Sequence, residues 1–324
     1  MKKIISSLPV QIRAAVELLP EGRMKKKNLK RIIICGMGGS GISGELLQGL
    51  YPHLQIISNK DYSIPGFIDK NTLSIIISYS GNTEETVSNY KILLRRGTTT
   101  AVISSDGWLL KRKSNLKIEI PKGLPPRGAI GYLFTPLPFI LYKFHLIERN
   151  PQPQLLKLAR FLEKKKAAIE KKAKGLAAQS WDKFLIIYAD SKLFFPVARR
   201  WQCQLNENSK LLAHINLIPE MCHNEIVGLG RPAALNRKTD IIFLNDPAAH
   251  PRNRLRVKIL KKIMKKKFSR ITEITPQGQN GLQRLFWTIM LGDFFSYYCA
   301  AAAGIDPMPV KRIDYLKKEL SEIR

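Results

Sequence analysis

The chain has 324 residues, enough to bury one large core or two of ordinary size, and its 44% hydrophobic and 24% charged content excludes a disordered chain. Lys and Arg number 54 against 25 Asp and Glu, a formal charge of +29 that favours anionic partners. That charge does not choose between a polyanion and a small phosphorylated molecule. The densest basic runs, Lys25–Lys27, Lys164–Lys166 and Lys261–Lys267, alternate with apolar positions and read as solvated helix faces.

Four cysteines (Cys35, Cys203, Cys222, Cys299) lie far apart with no C-x-x-C pair, which suggests neither a disulfide framework nor a zinc knuckle. The opening "MKKIISSLPVQIRAAV" has too short an apolar run before Arg13 for a signal peptide. The apolar "FFSYYCAAAAG" follows Asp293 and is shorter than a membrane span. A reducing cytoplasm is the expected location.

In chain order, "RIIICGMGGSGISGELLQGL" predicts a buried strand, a small-residue turn and a helix. "LQIISNKDYSIP" predicts a second strand, "TLSIIISYSGNTEETVSNYKILLRRG" strand, turn and helix again, and "TTTAVISSDG" and "LKIEIPKG" two further strands. Continuous apolar strands alternating with helices point to a parallel sheet covered on both faces. The Pro-rich "IERNPQPQL" marks a boundary, so residues 1–150 and 151–324 are expected to form two units. Beyond it the order recurs: "KFLIIYADSKLFFPVARRW", "KLLAHINLIPE", "TDIIFLNDPAAHPRNRLRVKILKKIM" and "SRITEITPQG". The expected fold is therefore α/β, two doubly wound flavodoxin-like units related by an internal repeat, with a C-terminal helix from about Asp306.

Ligands of such sheets bind beyond the carboxyl ends of the strands. Two small-residue loops fall there, "GMGGSG" (Gly36 to Gly41) and "SYSGNT" (Ser78 to Thr83). Ser78, Ser80 and Thr83 can direct hydroxyls to one spot beside a helix N-terminus, an arrangement suited to phosphate. The competing reading is a capped turn without a ligand: Thr83, Thr86 and the Glu84–Glu85 pair satisfy an N-terminal capping pattern. The dinucleotide reading of "GMGGSG" is weak, because the glycine spacing is wrong and no acid ends the next strand.

"GMGGSGISGELL" followed by "SYSGNTEETV" resembles the first half of a sugar isomerase (SIS) domain. "PPRGAIGYLF", "PVARRWQCQLNENSK" and "EMCHNEIVG" resemble, more narrowly, the bifunctional phosphoglucose/phosphomannose isomerase family, and the match runs from about residue 30 to the C-terminus. The resemblance implies a homodimer that interconverts glucose 6-phosphate or mannose 6-phosphate with fructose 6-phosphate, without metal or nucleotide cofactor. Carried over residue by residue, Glu207 is the base moving a proton between C2 and C1, and His223 the ring-opening residue supplied across the dimer. Arg127 stabilises the enediolate and Lys317, or else Lys318, assists ring opening. Gly39, Ser40, Ser78, Ser80 and Thr83 hold the phosphate.

Without the resemblance, Glu207 reads as a surface glutamate, His223 as a structural histidine and Arg127 as a solvated arginine. Three positions depart from the family's pattern: "YADSKLF" replaces a glycine–serine turn, Cys222 replaces an asparagine, and Met308 in "DPMPV" replaces a threonine. The first is expected to touch only a structural loop and the other two to bear on mannose against glucose preference. The rivals are a non-catalytic SIS sugar-phosphate sensor with a nucleic-acid partner, and an SIS isomerase or aminotransferase for another sugar phosphate. A metal site from Cys203, His214, Cys222 and His223 fits no standard ligand spacing.

Overall fold

The computed structural model describes residues 1–22 and 24–322. Two short helices, α1 (Lys2–Ser6) and α2 (Leu8–Glu17), lead into a first unit. There β1 (Arg31–Cys35) runs into α3 (Gly38–Leu50) and β2 (Ile56–Asn59), then β3 (Thr72–Ile77) into α4 (Glu84–Arg95). β4 (Thr99–Ser104), the one-turn α5 (Gly107–Leu110) and β5 (Leu116–Glu119) complete it. Every residue of β3 and β4 is buried, which is why "TLSIII" and "TTAVIS" read as runs of apolar and small hydroxyl residues without a charge rather than as an alternating pattern.

All pairings are parallel in the order β2-β1-β3-β4-β5, with Ile34 level with Ile75 across the central pair. The chain leaves β1 toward one edge and then fills the other side from β3 onward. The loops after β1 and β3 therefore splay apart at the switch point of the sheet. Those loops are "GMGGSG" and "SYSGNT".

Helices α6 (Ile130–Phe134), α7 (Pro136–Lys143) and the long α8 (Gln152–Ser180) lead to the second unit. It repeats the plan: β6 (Phe184–Ala189), α9 (Phe195–Gln204), β7 (Ala213–Leu217), the single turns α10 (Glu225–Gly228) and α11 (Ala233–Asn236), β8 (Thr239–Leu244), α12 (Pro251–Met264) and β9 (Arg270–Ile274). Its parallel order β7-β6-β8-β9 copies the first four strands of the first sheet. Then follow α13 (Gly281–Ala302) and α14 (Lys311–Glu322).

Helix α13 is apolar around most of its circumference because protein surrounds it. It packs on α8 and α9, and one hydrophobic cluster joins Ile34 and Ile75 of the first sheet to Leu185 and Ile187 of the second through Phe286 and Phe294. "FFSYYCAAAAG" lies mostly in this core helix, and among the described residues no helix is long and apolar enough to cross a membrane.

Two expectations are corrected. The C-terminal helix starts at Lys311, not near Asp306, because Pro307 and Pro309 lack a backbone N–H and push the residues before them out of the helical region. Lys25–Lys27 are exposed as expected but lie outside any helix, where the Lys27 ammonium donates to Thr99 Oγ1 at 3.0 Å, and Lys265–Lys267 are exposed beyond the end of α12.

Candidate active site

The two switch-point loops come first. Gly81 turns the second loop with φ +70°, and a Cβ there would stand 1.8 Å from the Asp106 carbonyl oxygen, so only glycine fits. Ser78 Oγ and Thr83 Oγ1 lie 2.9 Å apart, and Ser78 Oγ accepts from the Gly81 N–H at 3.1 Å. Neither Thr83 nor Met37, which precede α4 and α3, caps its helix with a side chain. The capping part of the competing reading is corrected: the Thr83 hydroxyl turns toward Ser78, leaving the first N–H groups of α4 uncapped by it. The loop is braced from the end of β4 and the residue after it, where Ser104 Oγ donates to the Ser78 carbonyl and Ser105 Oγ to the Tyr79 carbonyl, both at 2.6 Å.

The first loop presses on the next part of the site. A Cβ on Gly39 would stand 3.0 Å from the Pro126 carbonyl oxygen and 3.4 Å from Arg127 Cα, so the small residue brings the loop against the turn Pro126–Gly128. Ser40 and Ser78 are buried, Gly39 and Thr83 half-buried and Ser80 exposed.

Arg127 is buried and its donors are aimed. Nε donates to Asn208 Oδ1 at 2.8 Å, Nη2 donates to the carbonyls of Pro307 (2.7 Å) and Met308 (2.8 Å), and Nη1 faces Glu207 Oε2 at 3.5 Å. The solvated-arginine reading does not hold. The surface reading of Glu207 fails too, since its side chain is only 27% exposed. Glu207 sits in a π-helical turn, Leu205–Ser209, that continues α9 and ends at Lys210 in the left-handed region (φ 56°). Such turns widen a helix and re-aim its side chains. Burial raises the Glu207 pKa above that of an ordinary glutamate, opposed by Arg127, Arg200, Lys210 and Lys317. Lys210 Nζ donates to the carbonyls of Glu207 (2.5 Å) and Pro309 (2.8 Å), tying the base to the "DPMPV" segment.

Of the two candidate lysines on α14, Lys317 is the one whose charge acts on Glu207, while Lys318 faces Glu322 at 3.8 Å. Met308 is 41% exposed, and it is the main-chain carbonyl of this residue that engages Arg127.

His223 is not brought to this group. It ends the 3-10 turn Glu220–His223, exposed, and its ring makes no hydrogen bond among the described residues. Its segment is anchored through Glu225, which accepts from Tyr188 (2.5 Å) and Asn216 (2.6 Å) and meets His214 Nε2 at 3.0 Å. In "YADSKLF", Asp190 is buried, takes the Asp246 N–H on Oδ1 at 2.8 Å, and among the described residues has no partner for Oδ2. Burial raises its pKa to about 7, so this departure carries a titrating group as well as a loop.

The chain is 37% identical over its whole length to the bifunctional phosphoglucose/phosphomannose isomerase of Caldicellulosiruptor bescii, all of which it covers. It is 34% identical to that of Aquifex aeolicus over 90% of this chain and 91% of the relative. The chain belongs to the bifunctional phosphoglucose/phosphomannose isomerase family. Residues 169–320 also match the family described as the bacterial phospho-glucose isomerase C-terminal SIS domain. Tagatose-6-phosphate ketose/aldose isomerase from Escherichia coli shares the fold, with a TM-score of 0.72 and 16% identity over 94% of each chain.

Within this isomerase family member, the contacts around Arg127 include residues that motif reading passed over. Asn208, Arg200 and Gln204 stand inside "PVARRWQCQLNENSK", and Asp293 and Ser296 lie on α13. A lone acid in a helix apolar on nearly every side was the available signal, since a buried charge needs a partner.

Proposed function

We propose that the chain interconverts glucose 6-phosphate and mannose 6-phosphate with fructose 6-phosphate through a cis-enediolate. The observation that carries this reading is the approach of Arg127 Nη1 to Glu207 Oε2 at 3.5 Å beside the Gly39 loop. It supplies a carboxylate, a cation and a phosphate cradle in one place, the minimum that moving a proton α to a carbonyl requires.

The sugar phosphate docks with its phosphate on Ser40, Ser78, Ser80 and Thr83 and on the N-terminal ends of α3 and α4. His223 of a second copy, with Lys317, moves the proton from O1 to the ring oxygen and opens the pyranose. Glu207 takes the C2 proton of the aldose. The negative charge that develops on O1 and O2 falls beside Arg127, the hydroxyl proton passes from O2 to O1 across the cis-enediolate, and Glu207 returns its proton to C1. Both C2 epimers lose their proton to the same carboxylate when the open chain rotates about C2–C3.

Homodimerisation is part of the proposal. His223 is exposed, Val227 four positions on is 87% exposed, and α14 leaves Tyr315, Leu316 and Leu320 at 66%, 58% and 52% exposure. A second copy covering these residues would complete the site. Four free cysteines fit a reducing, cytoplasmic setting. A sensor without chemistry leaves the Arg127–Glu207 pairing unexplained.

The test is a coupled assay for fructose 6-phosphate with each aldose phosphate supplied separately. Turnover of both, lost in Glu207→Gln, supports the reading. Folded protein that binds both sugars and turns over neither contradicts it.

A further inference from the structure

Arg127 is gripped at two points by a closed ring of buried groups. On α9, Arg200 pairs with Asp293 of α13 through Nε–Oδ1 at 3.0 Å and Nη2–Oδ2 at 2.7 Å, with side chains only 2% and 5% exposed. Arg200 Nη2 also donates to the Arg127 carbonyl at 2.8 Å. From Asp293 the ring continues through its carbonyl, which accepts from Ser296 Oγ at 2.8 Å; Ser296 Oγ in turn accepts from Asn208 Nδ2 at 2.9 Å. Asn208 Oδ1 then takes Arg127 Nε at 2.8 Å, which closes the ring on the side chain. Gln204 Nε2 adds a donor to Asp293 Oδ1 at 2.8 Å, and Ser209 Oγ one to the Ser296 carbonyl at 2.6 Å.

A buried ion pair adds little net stability over an apolar pair of the same shape, because both charges must be desolvated. This one would be a poor choice as a simple brace between α9 and α13. Its geometry points elsewhere. The ring ends on the main chain and on the side chain of Arg127, and it passes through Asn208, which follows Glu207 in its π-helical turn, with Ser209 tied to it through the Ser296 carbonyl.

We propose that Arg200, Asp293, Ser296 and Asn208 are positioning residues that hold the Arg127 guanidinium at its station beside Glu207. The inference rests on the isomerase reading and adds the residues that set the site's geometry. Asp293 has a second part: it neutralises Arg200. Glu207 faces Arg127 from the Pro126–Gly128 turn, Arg200 and Cys203 from α9, Lys210 beyond the π-helical turn and Lys317 from α14. Of the cations, Arg200 carries a buried carboxylate partner of its own at 2.7 Å.

The test compares Asn208→Ala, Asp293→Asn and Arg200→Lys with the unmodified protein, reading kcat, KM and the acidic limb of the kcat–pH profile. Asn208→Ala leaves the ion pair in place and frees Arg127 Nε; kcat is expected to fall about tenfold or more with KM within about twofold. Asp293→Asn leaves Arg200 without its counter-charge, so the acidic limb moves to lower pH by roughly half a unit or more. Arg200→Lys keeps the charge but loses the two-pronged fork, so kcat falls while the limb stays. Should Asp293→Asn fail to fold, Asn208→Ala decides. An Asn208→Ala protein with unchanged kcat overturns the positioning role and leaves a structural brace, and a folded Asp293→Asn with an unmoved limb overturns the neutralising part of Asp293. An unmodified protein that turns over neither hexose phosphate overturns the isomerase reading itself, an outcome distinct from these.

Discussion

Arg127 Nη1 faces Glu207 Oε2 at 3.5 Å, and the other side of the guanidinium is spent on Asn208, Pro307 and Met308. The arginine is therefore oriented before substrate arrives and is not free to follow a shifted ligand. Arg127→Lys keeps the charge but cannot reproduce this planar fork. The expected result is a kcat lower by about 10²–10³, the usual cost of an oxyanion donor, with a much smaller change in KM. Steady-state kinetics with glucose 6-phosphate check it.

The phosphate loops make a different prediction. Thr83→Val removes a hydroxyl that bonds Ser78 and leaves α4 and the Gly81 turn in place, so KM for the sugar phosphate should rise severalfold with kcat little changed. Gly39→Ala should lower kcat as well, because its Cβ would meet the Pro126 carbonyl oxygen at 3.0 Å and push the turn that carries Arg127. The contrast between the two variants in a KM-against-kcat comparison is the readout.

Asp190 predicts a pH dependence of stability. Its pKa is about 7 in the folded chain, against about 3.9 for an ordinary aspartate when unfolded. Between those values the unfolded chain has released this proton while the folded chain still holds it. The contribution of this group therefore declines as pH rises through the interval and levels off above it. Asp190→Asn, which cannot ionise and can still accept the Asp246 N–H, should raise Tm at pH 8 by several degrees and leave Tm near pH 4 almost unchanged. Paired thermal melts of the two proteins at both pH values isolate the group from other carboxylates.

The strands and both switch-point loops were legible because buried parallel strands are written as unbroken apolar runs and the turns between them as small residues. The fold of the second unit followed from its repeat. What escaped had physical causes. Thr83 looked like a helix cap, and only its contact with Ser78 shows the hydroxyl turned away. Glu207 looked like a surface glutamate because a π-helical turn has no periodic signature in a polar segment. Asp293 and Ser296 were hidden in a helix that reads as uniform core, and their partners lie 93 and 88 positions away in the chain. Pro307 and Pro309 did announce that the last helix starts late.

His223 predicts subunit complementation. Each of Glu207→Gln and His223→Ala should be inactive alone if the histidine enters the site of its dimer partner. Unfolding and refolding an equimolar mixture should restore about a quarter of the unmodified activity, since half the dimers are mixed and each of those has one intact site. No recovery, in a mixture shown to contain mixed dimers, places the histidine in its own subunit's site or outside the chemistry.

The most direct test of the central claim is to follow fructose 6-phosphate in D2O by NMR with the unmodified protein and with Glu207→Gln. Proton transfer by Glu207 through an enediolate predicts product formation from both aldose phosphates, with deuterium at C2 in the share set by exchange of the protonated carboxyl with solvent before it returns the proton, and neither product nor exchange in the variant. Isomerisation or exchange undiminished by Glu207→Gln would contradict it.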